Sequence, residues 1–182
     1  MSKIVIFNAS PRKNGYTSKL LSELTRGAES KGSSITYFDL NSEGIRGCQG
    51  CNFCRKNEGC ATKDILSPMY NQIKEADAIV FGSPIYFYEI TGQGKLLIDR
   101  LFPMIDLPTF KPRYPGKKAV TVYVQGNPNA DAFKNGIDFV DNVFKGFGWD
   151  LEQRIVCAGT STPDYQLPKE LLEKAYNIGA SL

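Results

Sequence analysis

The chain has 182 residues, 42% hydrophobic and 23% charged, with 22 basic and 19 acidic side chains giving a net charge of +3. A single globular domain over 1–182 is expected, large enough to bury roughly 70% of its unfolded surface without disulfides, and disorder, collagen-like repeats and coiled coil are excluded. Mild, interspersed charge argues against nucleic acid, and the absence of histidine excludes Ser-His-Asp and Cys-His nucleophiles, zincins and histidine-ligated haem.

The start runs straight into a strand pattern, so no signal peptide is read. No apolar run reaches the ~18 residues of a bilayer span, and a cytoplasmic, non-membrane protein is expected. Residues 3–8 (KIVIFN) form a nearly continuous apolar run, as in a parallel strand buried on both faces. A polar turn leads to a helix over 17–30, with Leu20, Leu21 and Leu24 on one face. Residues 34–40 read as the second strand, 41–63 as a long cysteine-bearing loop, 65–76 as a helix and 78–82 as the third strand. An aromatic loop, a helix with Leu96, Leu97, Ile98 and Leu101, and an irregular proline-rich connector over 103–115 follow. Strand four over 119–124, a helix over 132–147, strand five over 151–158 and a helix over 168–179 complete the pattern.

Five strands alternating with helices predict an α/β fold with a doubly wound parallel sheet and helices on both faces. Ligands of such sheets bind beyond the carboxyl ends of the strands, which directs attention to the loops after strands one, three and four.

The first of these loops lacks both the dinucleotide-binding glycine spacing and the P-loop Gly-Lys-Ser/Thr. It offers Ser10, Asn14, Thr17 and Ser18 as donors, Arg12 as a charge and the N–H groups of a helix start, a set suited to a phosphate. The same residues also fit a plain strand–helix turn with Thr17 as N-cap. After strand three, Pro84, Ile85, Tyr86, Phe87 and Tyr88 crowd three aromatics at a strand end. Such a loop packs on core, on a partner chain or on a flat ligand. Gln125 and Gly126 occupy the third position.

The run Ser10-Pro11-Arg12-Lys13-Asn14-Gly15, with Thr17 and Leu20-Leu21, resembles the phosphate loop of the flavodoxin-like NADPH-dependent FMN reductases. Gly82-Ser83-Pro84-Ile85-Tyr86-Phe87 resembles their second flavin loop, and Lys95 through Asp99-Arg100 the helix after it. The resemblance covers about the first hundred residues. It implies a flavodoxin-like fold and FMN held by Ser10, Arg12, Asn14, Thr17, Ser18, Pro84, Ile85, Tyr86, Phe87, Gln125 and Gly126. It also implies NAD(P)H as electron donor and assembly as a homodimer or homotetramer. Two departures stand out: Asn8-Ala9 replaces a glycine-containing pair, and Asp64 is single where an acidic pair is common.

Of five cysteines, four lie within thirteen residues: Cys48, Cys51, Cys54 and Cys60. In a cytosolic chain this clustering reads as a metal or redox site rather than a disulfide framework. A ferredoxin-type cluster, zinc, a redox disulfide and a flexible loop all remain open on spacing alone. The run resembles the iron–sulfur flavoprotein branch of the same group, which implies that these four residues hold a [4Fe–4S] cluster. Cys157, in strand five, reads as a small buried hydrophobe. The function so implied is an FMN-dependent oxidoreductase exchanging electrons with the cluster and with a small-molecule or ferredoxin-like donor or acceptor. The alternatives are an NAD(P)H-dependent FMN or quinone reductase without a cluster and a flavodoxin-like carrier with no turnover of its own, against which +3 argues mildly.

Overall fold

The apolar run of residues 3–8 becomes β1 (Lys3–Asn8), and its alternate side chains enter two different cores. Val5 and Phe7 face one side, Ile4 and Ile6 the other, and all four are at most 2% exposed. This two-sided burial is why the run is continuous rather than alternating. The computed structural model describes residues 1–107 and 109–182.

After β1 come α1 (Tyr16–Ser30), β2 (Ser34–Asp39), α2 (Met69–Glu75), β3 (Ala78–Tyr86), β4 (Glu89–Ile90) and α3 (Gly92–Arg100). A short antiparallel pair, β5 (Ile105–Asp106) with β6 (Lys111–Pro112), precedes β7 (Lys118–Val124), α4 (Lys134–Gly146), β8 (Asp150–Cys157) and α5 (Lys169–Ser181). The main sheet runs β2-β1-β3-β7-β8, with every pair along this path parallel. That is the doubly wound order whose switch point lies between β1 and β3. On one face α1 and α5 bury Leu20, Leu21, Leu24, Ala175 and Ile178. On the other, α2, α3 and α4 bury Met69, Ile73, Leu97, Ile137, Val140 and Phe144.

The five expected parallel strands are present, α2 begins at Met69 rather than at 65, and three further details differ from expectation. Strand three does not stop at Gly82 but continues to Tyr86, then turns back through Phe87 and Tyr88 into β4, so the aromatic segment is a strand end and hairpin rather than a loop. Both hairpin-tip residues have positive φ, +47° and +71°, as a two-residue I′-type turn demands. That turn favours Asn-Gly; aromatics there break the sequence signal for a hairpin. The proline-rich connector holds the β5–β6 pair, and Pro108 lies outside the described residues. Finally, α1 begins one residue early with Gly15 as N-cap, so Thr17 is no cap but a buried residue of the first turn.

Candidate functional site

A cavity of about 980 Å³ opens at the carboxyl edge of the sheet, at the upper end of the usual size for a cofactor site. Its first wall is the β1–α1 turn, where Ser10, Arg12, Asn14 and Thr17 meet, with Lys19 one turn further along. The turn is held by its own polar groups. Asn8 Oδ1 accepts the Ser10 N–H at 3.0 Å, Ser10 Oγ accepts the Arg12 N–H at 3.2 Å, and Arg12 O accepts the Gly15 N–H at 3.0 Å. No side chain caps α1, and its first turn carries no acid. The positive end of the helix therefore faces the cavity with donors free, and Arg12 and Lys19 are the charged residues on its wall.

The second wall is the end of β3, where Pro84, Ile85, Tyr86 and Phe87 line the space. Ile85 is buried, whereas Phe87 is 99% exposed and stands free at the rim. Tyr88 turns away and packs edge-on against Phe133, with ring centroids 5.1 Å apart. The two walls are joined by Thr91, the N-cap of α3. Its hydroxyl donates to Ala9 O at 2.7 Å and accepts the Gly94 N–H at 3.2 Å.

The third wall comes from the turns after β7 and β8, through Gly126, Asn127, Thr160 and Ser161. A Cβ on Gly126 would stand 2.2 Å from Ser161 Oγ and 3.2 Å from its Cβ, so a side chain there would turn the Ser161 hydroxyl aside.

Nine of the eleven residues expected around the ligand line this cavity; Ser18 and Gln125 do not. Ser18 Oγ accepts from Asn8 Nδ2 at 3.0 Å and donates to Arg12 O at 3.2 Å, bracing the turn from behind. Gln125 is buried, and its amide donates to Asn129 O at 2.6 Å, shaping the loop rather than the wall. Sequence reasoning missed Phe133, Thr160 and Ser161. The carboxyl-edge rule applied to strand five would have found the last two.

The cysteines form a separate place. The loop leaves the carboxyl edge at Asn41, runs along α3, and gathers Cys48, Cys51, Cys54 and Cys60 around a cavity of about 210 Å³ at the far end of that helix. This lining shares no residue with the larger cavity, and α3 is about 13 Å long at 1.5 Å per residue. The loop therefore starts beside the β1–α1 turn, and its sulfurs lie away from the larger cavity. Cys48 and Cys51 are exposed, and Cys54 and Cys60 half-buried. Burial, together with the nearby Cys60, Cys48 and Cys51, pushes the Cys54 thiol up. Burial pushes Cys60 up too, but donors from Thr62 and Tyr70 and the charge of Arg100 outweigh it and bring the thiol below its ordinary range. Among the described residues no three His, Cys, Asp or Glu side chains are grouped to hold one metal ion. Tetrahedral zinc would require sulfurs about 3.8 Å apart, from its 2.3 Å bonds. The four cysteines line one shared cavity. Cys157 is buried in β8, with Sγ 3.1 Å from the Tyr165 hydroxyl.

Residues 2–140 match the NADPH-dependent FMN reductase family. An iron–sulfur flavoprotein of Archaeoglobus fulgidus is 30% identical over 184 residues, covering 99% of this chain and 78% of that protein. The chain belongs to the NADPH-dependent FMN reductase family, in its iron–sulfur flavoprotein branch. An iron–sulfur flavoprotein of Methanocaldococcus jannaschii is 32% identical over 102 residues, which is 56% of this chain and 53% of that protein. The structure of an NAD(P)H:quinone oxidoreductase from Methanothermobacter marburgensis superimposes with a TM-score of 0.79 at 18% identity, covering 98% of each chain, and speaks for the fold.

As a member of this family, the protein is an FMN-dependent oxidoreductase. The cavity fits FMN on its own terms. One end supplies cations, hydroxyls and helix N–H groups for a phosphate, and the other an apolar wall of proline, isoleucine and aromatic rings for a flat ring system. No helix is long and apolar enough to cross a membrane among the described residues.

Proposed function

We propose that the protein passes electrons between FMN in the carboxyl-edge cavity and a [4Fe–4S] cluster held by Cys48, Cys51, Cys54 and Cys60. The observation that carries this reading is the gathering of all four sulfurs around one cavity, separate from the flavin cavity and backed by a buried guanidinium. The iron–sulfur flavoprotein name of the Archaeoglobus relative supports it. FMN exchanges electrons in pairs or singly, which lets such a protein link two-electron and one-electron carriers.

The chain's own residues bind and orient. Arg12, Ser10, Asn14, Thr17 and the α1 N–H groups hold the phosphate, Pro84, Ile85 and Tyr86 form the ring wall, and Phe87 stands at the rim. The donor is NAD(P)H or a ferredoxin-like carrier. Because α3 separates the two sites within one chain, a homodimer or homotetramer is the arrangement in which a cluster reaches a second protomer's flavin. The exposed Phe87 and Tyr88 offer aromatic surface for that contact.

The test is an anaerobic visible spectrum with iron and sulfide assays on freshly purified protein. Flavin bands over a broad brown absorbance, with about four irons per chain, are expected. Flavin bands without iron would refute the cluster and leave an NAD(P)H-dependent reductase. A colourless protein that takes up no FMN would overturn both.

A further inference from the structure

Arg100, the last residue of α3, is among the largest fully buried side chains in the molecule, and its side chain is 0% exposed. Four of its five N–H donors are used, all by partners from one region. Nη1 donates to Arg46 O at 2.6 Å and to Asp64 Oδ2 at 2.7 Å, Nη2 to Asp64 Oδ1 at 3.3 Å, and Nε to the Tyr70 hydroxyl at 3.1 Å. Asp64, itself 3% exposed, also accepts the Arg46 N–H at 3.0 Å. Arg46 stands just before Cys48 and Asp64 just after Cys60. One guanidinium thus ties both ends of the cysteine segment to the end of a helix.

A buried Arg–Asp pair is weak evidence for stability, since desolvating two ions offsets most of their attraction. Its position points elsewhere. Arg100 lines the cavity that all four cysteines share, and Tyr70 lines a second cavity with Cys60, whereas Asp64 lines neither. The positive member of the pair therefore borders the cavity of the sulfurs, and the negative member lies outside its lining. A buried charge there is screened less by solvent than one on the surface. Hydrogen bonds and charge around the sulfurs are the levers by which a protein sets a cluster's potential.

We infer that Arg100 is a positioning residue with two effects: it closes the cysteine loop into a preformed cluster site, and its charge makes the one-electron reduction of that cluster more favourable. The inference rests on the cluster reading above. The electron comes from the reduced flavin, no bond forms or breaks, and the added negative charge is stabilised by the guanidinium. Asp64 opposes this effect from the second layer and keeps the guanidinium in place.

Loosening of the loop and electrostatics differ in sign. Removing the cation by Arg100→Met leaves Asp64 uncompensated and lowers the midpoint potential. Removing the anion by Asp64→Asn leaves Arg100 uncompensated and raises it. A purely structural role would move both variants the same way. The measurement is a potentiometric titration, followed by electron paramagnetic resonance of the reduced cluster, on anaerobically purified full-length protein, with iron assayed in parallel. Shifts of opposite sign are expected, each at least tenfold in the one-electron equilibrium, or 59 mV. Tyr70→Phe keeps both charges and is expected to retain iron with a smaller downward shift.

Should Arg100→Met fail to fold, Arg100→Lys decides. It preserves charge and loses the fork, so iron retention should fall while the potential of the loaded fraction stays near wild type. Shifts of the same sign in Arg100→Met and Asp64→Asn, or unmoved potentials in iron-loaded variants, overturn the inference and leave the cluster reading intact. A wild-type protein without iron overturns both.

Discussion

Thr91→Val removes a single hydroxyl that joins two walls of the flavin cavity. The side chain is 2% exposed, so neither lost partner can turn to water. Without the hydroxyl, the Gly94 N–H at the start of α3 loses its cap, a cost of about 0.5–2 kcal/mol. The Ala9 carbonyl, whose residue is 0% exposed, is left without that donor at about 1–3 kcal/mol. Together these come to about 2–4 kcal/mol, because one hydroxyl serves both bonds and the terms overlap. For a chain of this size that corresponds to a fall in Tm of about 5–15 °C. Ala9 leads directly into Ser10, so the phosphate turn also loses its anchor to the start of α3, and FMN should bind more weakly. The assay is calorimetric melting of apoprotein and FMN-saturated protein. The gap between the two melting points reports affinity through linkage and should shrink in the variant. Thr91→Ser, which keeps the hydroxyl, serves as the control and should stay within about 1 kcal/mol of wild type. A Thr91→Val apoprotein melting within about 2 °C of wild type would refute the reasoning, as would an equal loss in Thr91→Ser.

Arg12→Ala should weaken FMN binding about 10–150-fold while leaving the apoprotein Tm unchanged, since a charge-assisted hydrogen bond contributes about 1.5–3 kcal/mol; fluorescence titration of the flavin checks this. Gly126→Val places a side chain where a Cβ already meets Ser161 Oγ, so flavin uptake should be lost in a protein whose circular dichroism is native. Phe87→Gly should raise the Tm slightly, because a left-handed conformation costs a non-glycine residue about 1–2 kcal/mol, yet reduce flavin-dependent turnover by removing the aromatic ring at the cavity rim. Burial pushes the Asp64 carboxyl up, but the hydrogen bond and charge of Arg100 and the N–H groups of Arg46 and Leu66 outweigh it and hold it below its usual value. Its contribution is therefore fully present above the unfolded value of about 3.9 and is lost as pH falls through the lower folded value. Acid unfolding curves of Asp64→Asn should be flatter than wild type in that window and parallel to it above about pH 5.

Much of this molecule is legible in its residues taken in order. Continuous apolar runs such as residues 3–8 and 119–124 mark strands buried on both faces, and the leucines of α1 mark its inner side. The chemistry of the turn after β1 and the four close cysteines are likewise local facts. What stayed hidden depends on distance through space. Ser18 shares the polar chemistry of its neighbours, and only the path of α1 turns it behind the phosphate turn onto Asn8. Phe87 and Tyr88 make a hairpin although their residue types oppose it, because β3 and β4 pair around them and Tyr88 is anchored on Phe133. The pairing of Arg100 with Asp64, and of both with the ends of the cysteine loop, follows no local period. Residue type and spacing determine which short segments form and what chemistry each can offer. Which of those groups meet, and which are shielded from water when they do, is decided only when the layers pack, because burial and charge interaction depend on separation in space rather than along the chain.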